Sequence, residues 1–133
     1  MKNIDQIKVD LNKVEGALLN WLVAFSLPNR GMSATHVWLP TDDGEDDFLI
    51  PNYCGDWNVG GPLSEAHRVS VEKKHDGWWM ACIYNINDEP ECGYYLAHSE
   101  LVAKMRCVVA SYCGAVVTVP ADVLYEHSQV KKS

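Results

Sequence analysis

The stretch "HSELVAKMRCVVASYCG" (98–114) decides how the rest of the chain is arranged. Leu101, Val102, Met105, Val108, Val109 and Tyr112 recur at three- and four-residue steps, so the segment is an amphipathic helix with a wide apolar face. Ser99 is a natural N-cap and Gly114 a natural C′ residue. A helix with so broad a face belongs at the centre of a fold.

Working outward, "RVSVEKK" (68–74) alternates apolar and polar residues. "HDG" (75–77) signals a turn, and "WWMACIYNI" (78–86) returns as a second strand. Together they predict a β-hairpin. A second amphipathic helix is predicted in "LNKVEGALLNWLVAFSL" (11–27), from Leu11, Val14, Leu18, Trp21, Leu22 and Phe25. Asp10 or Asn12 caps it, and Pro28, Asn29 and Gly31 end it. Gly16 inside that helix costs about 1 kcal/mol relative to Ala, which points to close approach by another backbone.

Shorter pieces complete the chain. Residues 7–9 and 35–40 read as strands, "TDDGEDD" (41–47) as an acidic loop, and "FLIPNY" (48–53) as an edge piece broken by Pro51. Pro62 sits where a short helix over 63–67 would begin. Residues 87–93 read as a loop and 115–119 as a strand or linker. Residues 120–127 read as a terminal helix, followed by a frayed tail. Strands and helices in mixed order, without regular βαβ alternation, give an α+β class: a small antiparallel sheet with two main helices packed on it. The 133 residues are expected to form a single domain, 1–133.

Composition narrows the function classes. The formal net charge is −7 with only 11 basic residues, so no nucleic-acid partner is expected. No apolar run approaches the roughly 18 residues a membrane span requires. The N-terminus "MKNIDQIKVD" lacks the pattern of a signal peptide, so a cytoplasmic location is expected. Five cysteines at irregular spacings, three of them (Cys82, Cys107 and Cys113) inside apolar runs, read as small buried hydrophobes. His36, His67, His75, His98 and His127 are scattered, with no H-x₃-H and no C-x-x-C, and "DDGEDD" departs from the calcium-loop spacing. No metal, no cofactor and no catalytic set is expected. A Cys54–His67 pair rests on the presence of both residue types alone.

Two segments carry the candidate binding chemistry. In "DWNVGGPL" (56–63), Gly60 and Gly61 permit close approach to a ligand. A helix starting at Pro62 would offer free N–H groups to an anion. Trp57 offers a stacking face, and Asp56 an acceptor for a hydroxyl or amine. The plainer reading is a glycine turn into a helix, with Trp57 in the core and Asp56 as a cap. Arg106 lies in the middle of the apolar helix, on the face of Val102, Val109 and Cys113, and must be paired or reach a wet cavity. It is either a clamp on a phosphate or carboxylate, or an internal ion pair with Asp56 or Glu65. Adjacent Trp78 and Trp79 point to opposite faces, so one is left for the surface, a pocket or an interface; with Tyr94–Tyr95 they suggest a homo-oligomer.

Four segments resemble a family of small tailed-phage proteins of unassigned activity, the NinX-like proteins. "GALLNWLVA" (16–24) resembles its Gly-Ala-x-Leu-Asp-Trp helix, with Asn20 where Asp is usual. "DWNVGGPL" is similar to its Asp-Trp-x-x-Gly-Gly-Pro-Ile segment, "MRCVVAS" (105–111) to its Met-Arg-Cys-x-Val-Ala-Ser helix, and "VTVPADVL" (117–124) to its closing Val-x-Val-Pro segment. Residues 27–55 depart from the family, and the acidic loop is private to this chain. The resemblance implies a phage accessory protein made in the host cytoplasm, and it brings no reaction. The first functional reading is capture, without catalysis, of a small phosphorylated, nucleotide-like host defence signal by Asp56, Trp57, Gly60, Gly61, Glu65 and Arg106. The alternative is an acidic interaction protein that binds and inhibits a host protein. A hydrolase acting on a nucleotide signal comes third.

Overall fold

The computed structural model describes residues 6–132, without the side chains of Glu45 and residues 128–132. The readings of residues 1–5 and Ser133 lie outside the described residues.

The class is α+β, with the strands divided among three small antiparallel sheets. In the first, β1 (Gln6–Asp10) pairs with β8 (Val116–Pro120), placing Ile7 opposite Val119 and Val9 opposite Val117. Val117 and Val119 are buried while Val116 and Thr118 are exposed, the period-2 pattern of a strand with one face on the core. Residues 115–119 are therefore largely strand and not linker. In the second sheet, β2 (Gly31–Met32), β3 (His36–Thr41) and β4 (Gly44–Leu49) form a meander. The third contains β5 (Ser70–Lys73), β6 (Trp79–Cys82) and β7 (Tyr95–Ala97). The hairpin predicted over 68–86 is its first half, with Ser70 opposite Cys82 and Lys73 opposite Trp79.

The acidic loop is corrected to a hairpin. Thr41 faces Gly44 across a tight turn at Asp42–Asp43, and the pairing runs on to His36 opposite Leu49. Aspartate is a poor strand former, but β4 is an edge strand on which Asp46 and Asp47 are exposed, so they do not oppose the pairing.

Both predicted long helices form, with one boundary moved. Residues 11–13 make a 3₁₀ turn capped by Asp10, whose carboxylate accepts the Asn12 N–H at 3.0 Å. Val14 and Glu15 are extended, and α1 (Gly16–Ser26) begins only at Gly16. Gly16 adopts φ +64°, and a Cβ there would meet nothing within 4 Å. The glycine supplies a left-handed backbone and not the close approach expected. The central helix, α3 (Glu100–Cys113), has the expected ends: Ser99 Oγ accepts the Val102 N–H at 3.3 Å, and Gly114 takes φ +86°. Leu101, Met105, Val108 and Val109 are fully buried among Leu19, Leu22, Ala81 and Tyr95. Each is worth about 1.5–3 kcal/mol of transfer free energy. α3 packs on α1, β6, β7 and α2 (Trp57–Ala66). The last helix, α4 (Ala121–Lys132), runs through the stretch expected to be frayed.

α2 is the second correction. It begins at Trp57, capped by Asp56, and Pro62 lies inside it. Proline favours the first helical turn without requiring it, so Pro62 marked the helix but not its start. The cap itself is testable. Asp56 accepts the Asn58 N–H at 2.9 Å, so Asp56→Ala should lower stability by about 1 kcal/mol in a urea titration, with the m-value unchanged.

Candidate functional site

The central helix carries one charge into the interior. Arg106 is 4% exposed. Its Nε donates to the Val14 carbonyl at 2.9 Å, and Nη1 donates to the Leu96 carbonyl. The guanidinium thus ties the extended step before α1 to β7. Nη2 lies 3.9 Å from the exposed carboxylate of Glu15, too far for a hydrogen bond. Among the described residues, donors on Nη1 and Nη2 are left over. Burial pushes the guanidinium pKa down, and Glu15 and Asp10 pull it back up. The ion-pair partner is Glu15, not the Asp56 or Glu65 expected.

Arg106 lines a cleft of about 520 Å³. One side is the 3₁₀ turn and the start of α1, through Asn12, Lys13, Glu15 and Gly16. The others are the turn before α2 (Asn52, Cys54, Gly55), the start of α3 (Ala97, His98, Ser99, Val102) and Trp78. Three helix starts therefore border one space. Asp56 caps α2 and Ser99 caps α3, but Glu15 makes no side-chain cap bond to α1. Among the described residues no side chain caps the first-turn N–H groups of α1, which leaves them for another acceptor. Lys13 and Arg106 outnumber Glu15 at the cleft, a local cationic excess in an acidic protein. Trp78, 39% exposed, lies against His98 with ring centroids 3.7 Å apart, giving the cleft an aromatic edge.

The residues singled out in the sequence divide around this cleft. Arg106 lines it. Asp56 is the α2 cap, beside the lining residue Gly55. Trp57 is half exposed on the surface, with the Lys104 ammonium 4.9 Å from its ring; that ammonium also pairs with Glu100 at 3.0 Å. Gly60 and Gly61 are helical, and Glu65 is exposed on the same helix. Trp79 is half-buried beneath Lys73, and Tyr95 is buried while Tyr94 is exposed. Asn12, Lys13, Glu15, Gly16, Asn52, Cys54 and His98 were not anticipated as a group. Gly16 was the available signal: a glycine that costs helix stability marks a break, and the break exposes the α1 start.

Asn20 positions the cleft's second side. Its Oδ1 accepts the Cys54 N–H at 2.9 Å, and its Nδ2 donates to Asn52 Oδ1 at 3.0 Å. An aspartate would keep the first bond and lose the second.

The Cys54–His67 pair does not form. The Cys54 thiol donates to the Gly16 carbonyl at 3.4 Å. The His67 ring nitrogens meet the Leu63 carbonyl at 2.9 Å and the Tyr112 hydroxyl at 2.8 Å. Burial pushes the Cys54, Cys82, Cys92 and Cys107 thiols up, so none is a poised thiolate. All five cysteines are free, and Cys113 is only half-buried. Among the described residues no group of three His, Cys, Asp or Glu side chains could hold a metal ion, and no helix is long and apolar enough to cross a membrane.

The family model described as "Bacteriophage P22, NinX" matches residues 10–112, and the chain belongs to this phage family. The matched span holds three of the four resembling segments and every lining residue of the cleft. β8 and α4 lie outside it. No curated protein matches the chain.

Proposed function

We propose that this phage NinX-family protein captures a small phosphorylated, nucleotide-like molecule in the cleft and holds it unaltered, as in the sequestration of a host defence signal. One observation carries the reading: a buried arginine with unspent donors shares a cleft with the uncapped start of α1. A guanidinium and a helix start both favour phosphate oxygens, and they do so most in a site partly shielded from water. Lys13 adds a second cation. Trp78 lines the same cleft and is partly exposed, an aromatic surface suited to a base or sugar.

Titration with cyclic dinucleotides and ADP-ribose derivatives tests this by thermal shift and calorimetry. A true ligand at about 100 times its Kd should stabilise the fold by about 2.7 kcal/mol. Trp78→Ala should weaken that binding and leave the melting temperature of the free protein nearly unchanged. Release of intact ligand on denaturation separates capture from hydrolysis. No stabilisation by any of these compounds counts against the reading.

A second reading has its own observation. The β3–β4 hairpin presents Asp42, Asp43, Asp46 and Asp47 beside Phe48 and Leu49, which are 44% and 71% exposed. An acidic edge strand with apolar tips suits a basic host protein. A stoichiometric partner from host lysate whose binding survives Arg106→Lys and is lost on Asp46→Lys would favour it.

A further inference from the structure

The turn before α2 brings a side-chain amide, that of Asn52, to the cleft wall. The backbone fixes which end of that amide is which. The Cys54 N–H can only donate, and it meets Asn20 Oδ1 at 2.9 Å. The other end of the Asn20 amide is therefore Nδ2, a donor, and it meets Asn52 at 3.0 Å. The Asn52 atom that receives it must be Oδ1. Asn52 Nδ2 keeps both its N–H groups, and among the described residues no acceptor takes them.

The two ends of this amide have different surroundings. Its oxygen is tied to Asn20, which is outside the cleft lining. Its nitrogen lies over Gly55, which belongs to that lining: a Cβ on Gly55 would come within 2.5 Å of Nδ2. Asn52 and Gly55 are both exposed, so the free N–H groups cost nothing while water serves them. The same cleft is lined by Arg106, Lys13 and the α1 start, all of which favour an anion.

We propose that Asn52 Nδ2 is a ligand contact of the cleft, donating to an oxygen of a bound phosphate-type anion, and that Asn20 is the positioning residue that keeps this end of the amide available. The inference rests on the capture reading and adds to it a contact from outside the central helix. Asn20→Asp probes the positioning. An aspartate still accepts the Cys54 N–H but has no donor for Asn52 Oδ1. The pair re-forms only when the Asn52 amide turns over and gives its N–H to Asp at position 20. The oxygen then replaces the donor beside Gly55 and repels an anion.

Pyrophosphate is the probe, followed by ¹H–¹⁵N NMR and calorimetry. In the parent it should move the Asn52 Nδ2–H₂ pair and the Arg106 Nε–H signal with the same midpoint. Asn52→Ala identifies the amide pair by its loss. It should weaken binding about tenfold, the share of one hydrogen bond to a charged group. The variants should fold, because Gly55 and Asp56 donate to the backbone carbonyl of Asn52 and not to its side chain. Asn20→Asp should weaken binding at least as much and leave the Asn52 pair unmoved by the probe. In the Asn52→Ala background the same change should cost no more than about twofold, because the amide it acts through is gone. A through-space effect of the new charge would be equal in both backgrounds. Such equality, parent-like binding by Asn52→Ala, or a still Asn52 pair while Arg106 responds overturns the inference and leaves the capture reading standing. If neither signal responds, the capture reading falls and the Asn52 contact falls with it.

Discussion

Arg106→Ala is expected to lower stability by about 3–5 kcal/mol and to abolish anion binding by whatever folded protein remains. The magnitude follows from the bonds the side chain makes. Val14 and Leu96 each offer a carbonyl to the guanidinium in the interior. Each carbonyl left without a donor costs about 1–3 kcal/mol, and the emptied volume adds to that. The Glu15 contact adds little, because that carboxylate is 64% exposed and 3.9 Å away. A domain of ordinary stability, about 5–15 kcal/mol, is brought near its threshold by this one change. Urea unfolding measures it as a lower midpoint. Arg106→Lys restores the charge but not the planar fork, and one ammonium does not reproduce two guanidinium bonds in fixed directions. It should recover part of the stability and little of the binding. Arg106→Met fills much of the volume and donates nothing. If it proved as stable as the parent, the two carbonyl bonds would contribute nothing and the structural half of this account would fail.

That arginine also shows what a sequence can reveal about such a site. A charge on the broad apolar face of 98–114 had to be buried, and it is. Its partners could not be read the same way. They depend on Val14 and Glu15 being extended, which depends in turn on Gly16 taking a left-handed backbone. The periodic residues Leu11, Val14 and Leu18 run straight through that break, so the pattern concealed it. Ser99, Gly114 and the "HDG" turn were legible because capping and turning are local events, decided within a few residues. The strand at 44–49 was hidden because its edge position, known only from the assembled sheet, removes the usual objection to aspartate. The cleft was the least legible feature. Its lining comes from residues 12, 13, 15, 16, 52, 54, 55, 78, 97–99, 102 and 106, which share no spacing and meet only once α3 is in place.

Gly60→Ala and Gly61→Ala are expected to differ in sign, although the residues are neighbours in one helix. A Cβ on Gly60 would lie 2.1 Å from the Tyr53 carbonyl oxygen and 2.9 Å from Leu101 Cδ1. Leu101 has some freedom to turn; the Tyr53 backbone does not. The substitution gains about 1 kcal/mol of helix propensity, but the clash forces α2 away from α3 or shifts residues 53–55. The net loss should be on the order of 2–3 kcal/mol. Because Cys54 and Gly55 line the cleft, ligand affinity should fall with stability, by about tenfold or more. A Cβ on Gly61 would lie 3.4 Å from Trp57 Cε3, an ordinary contact. Gly61→Ala should therefore keep the helical gain, raise the melting temperature by up to about 4 °C, and bind as the parent does. The pair also separates the two meanings of the glycines. If both variants melted like the parent and both lost the ligand, Gly60 and Gly61 would be ligand contacts. The opposite signs expected here make Gly60 the point where the backbone of the 53–55 turn rests on α2, and so the residue that holds one side of the cleft in place.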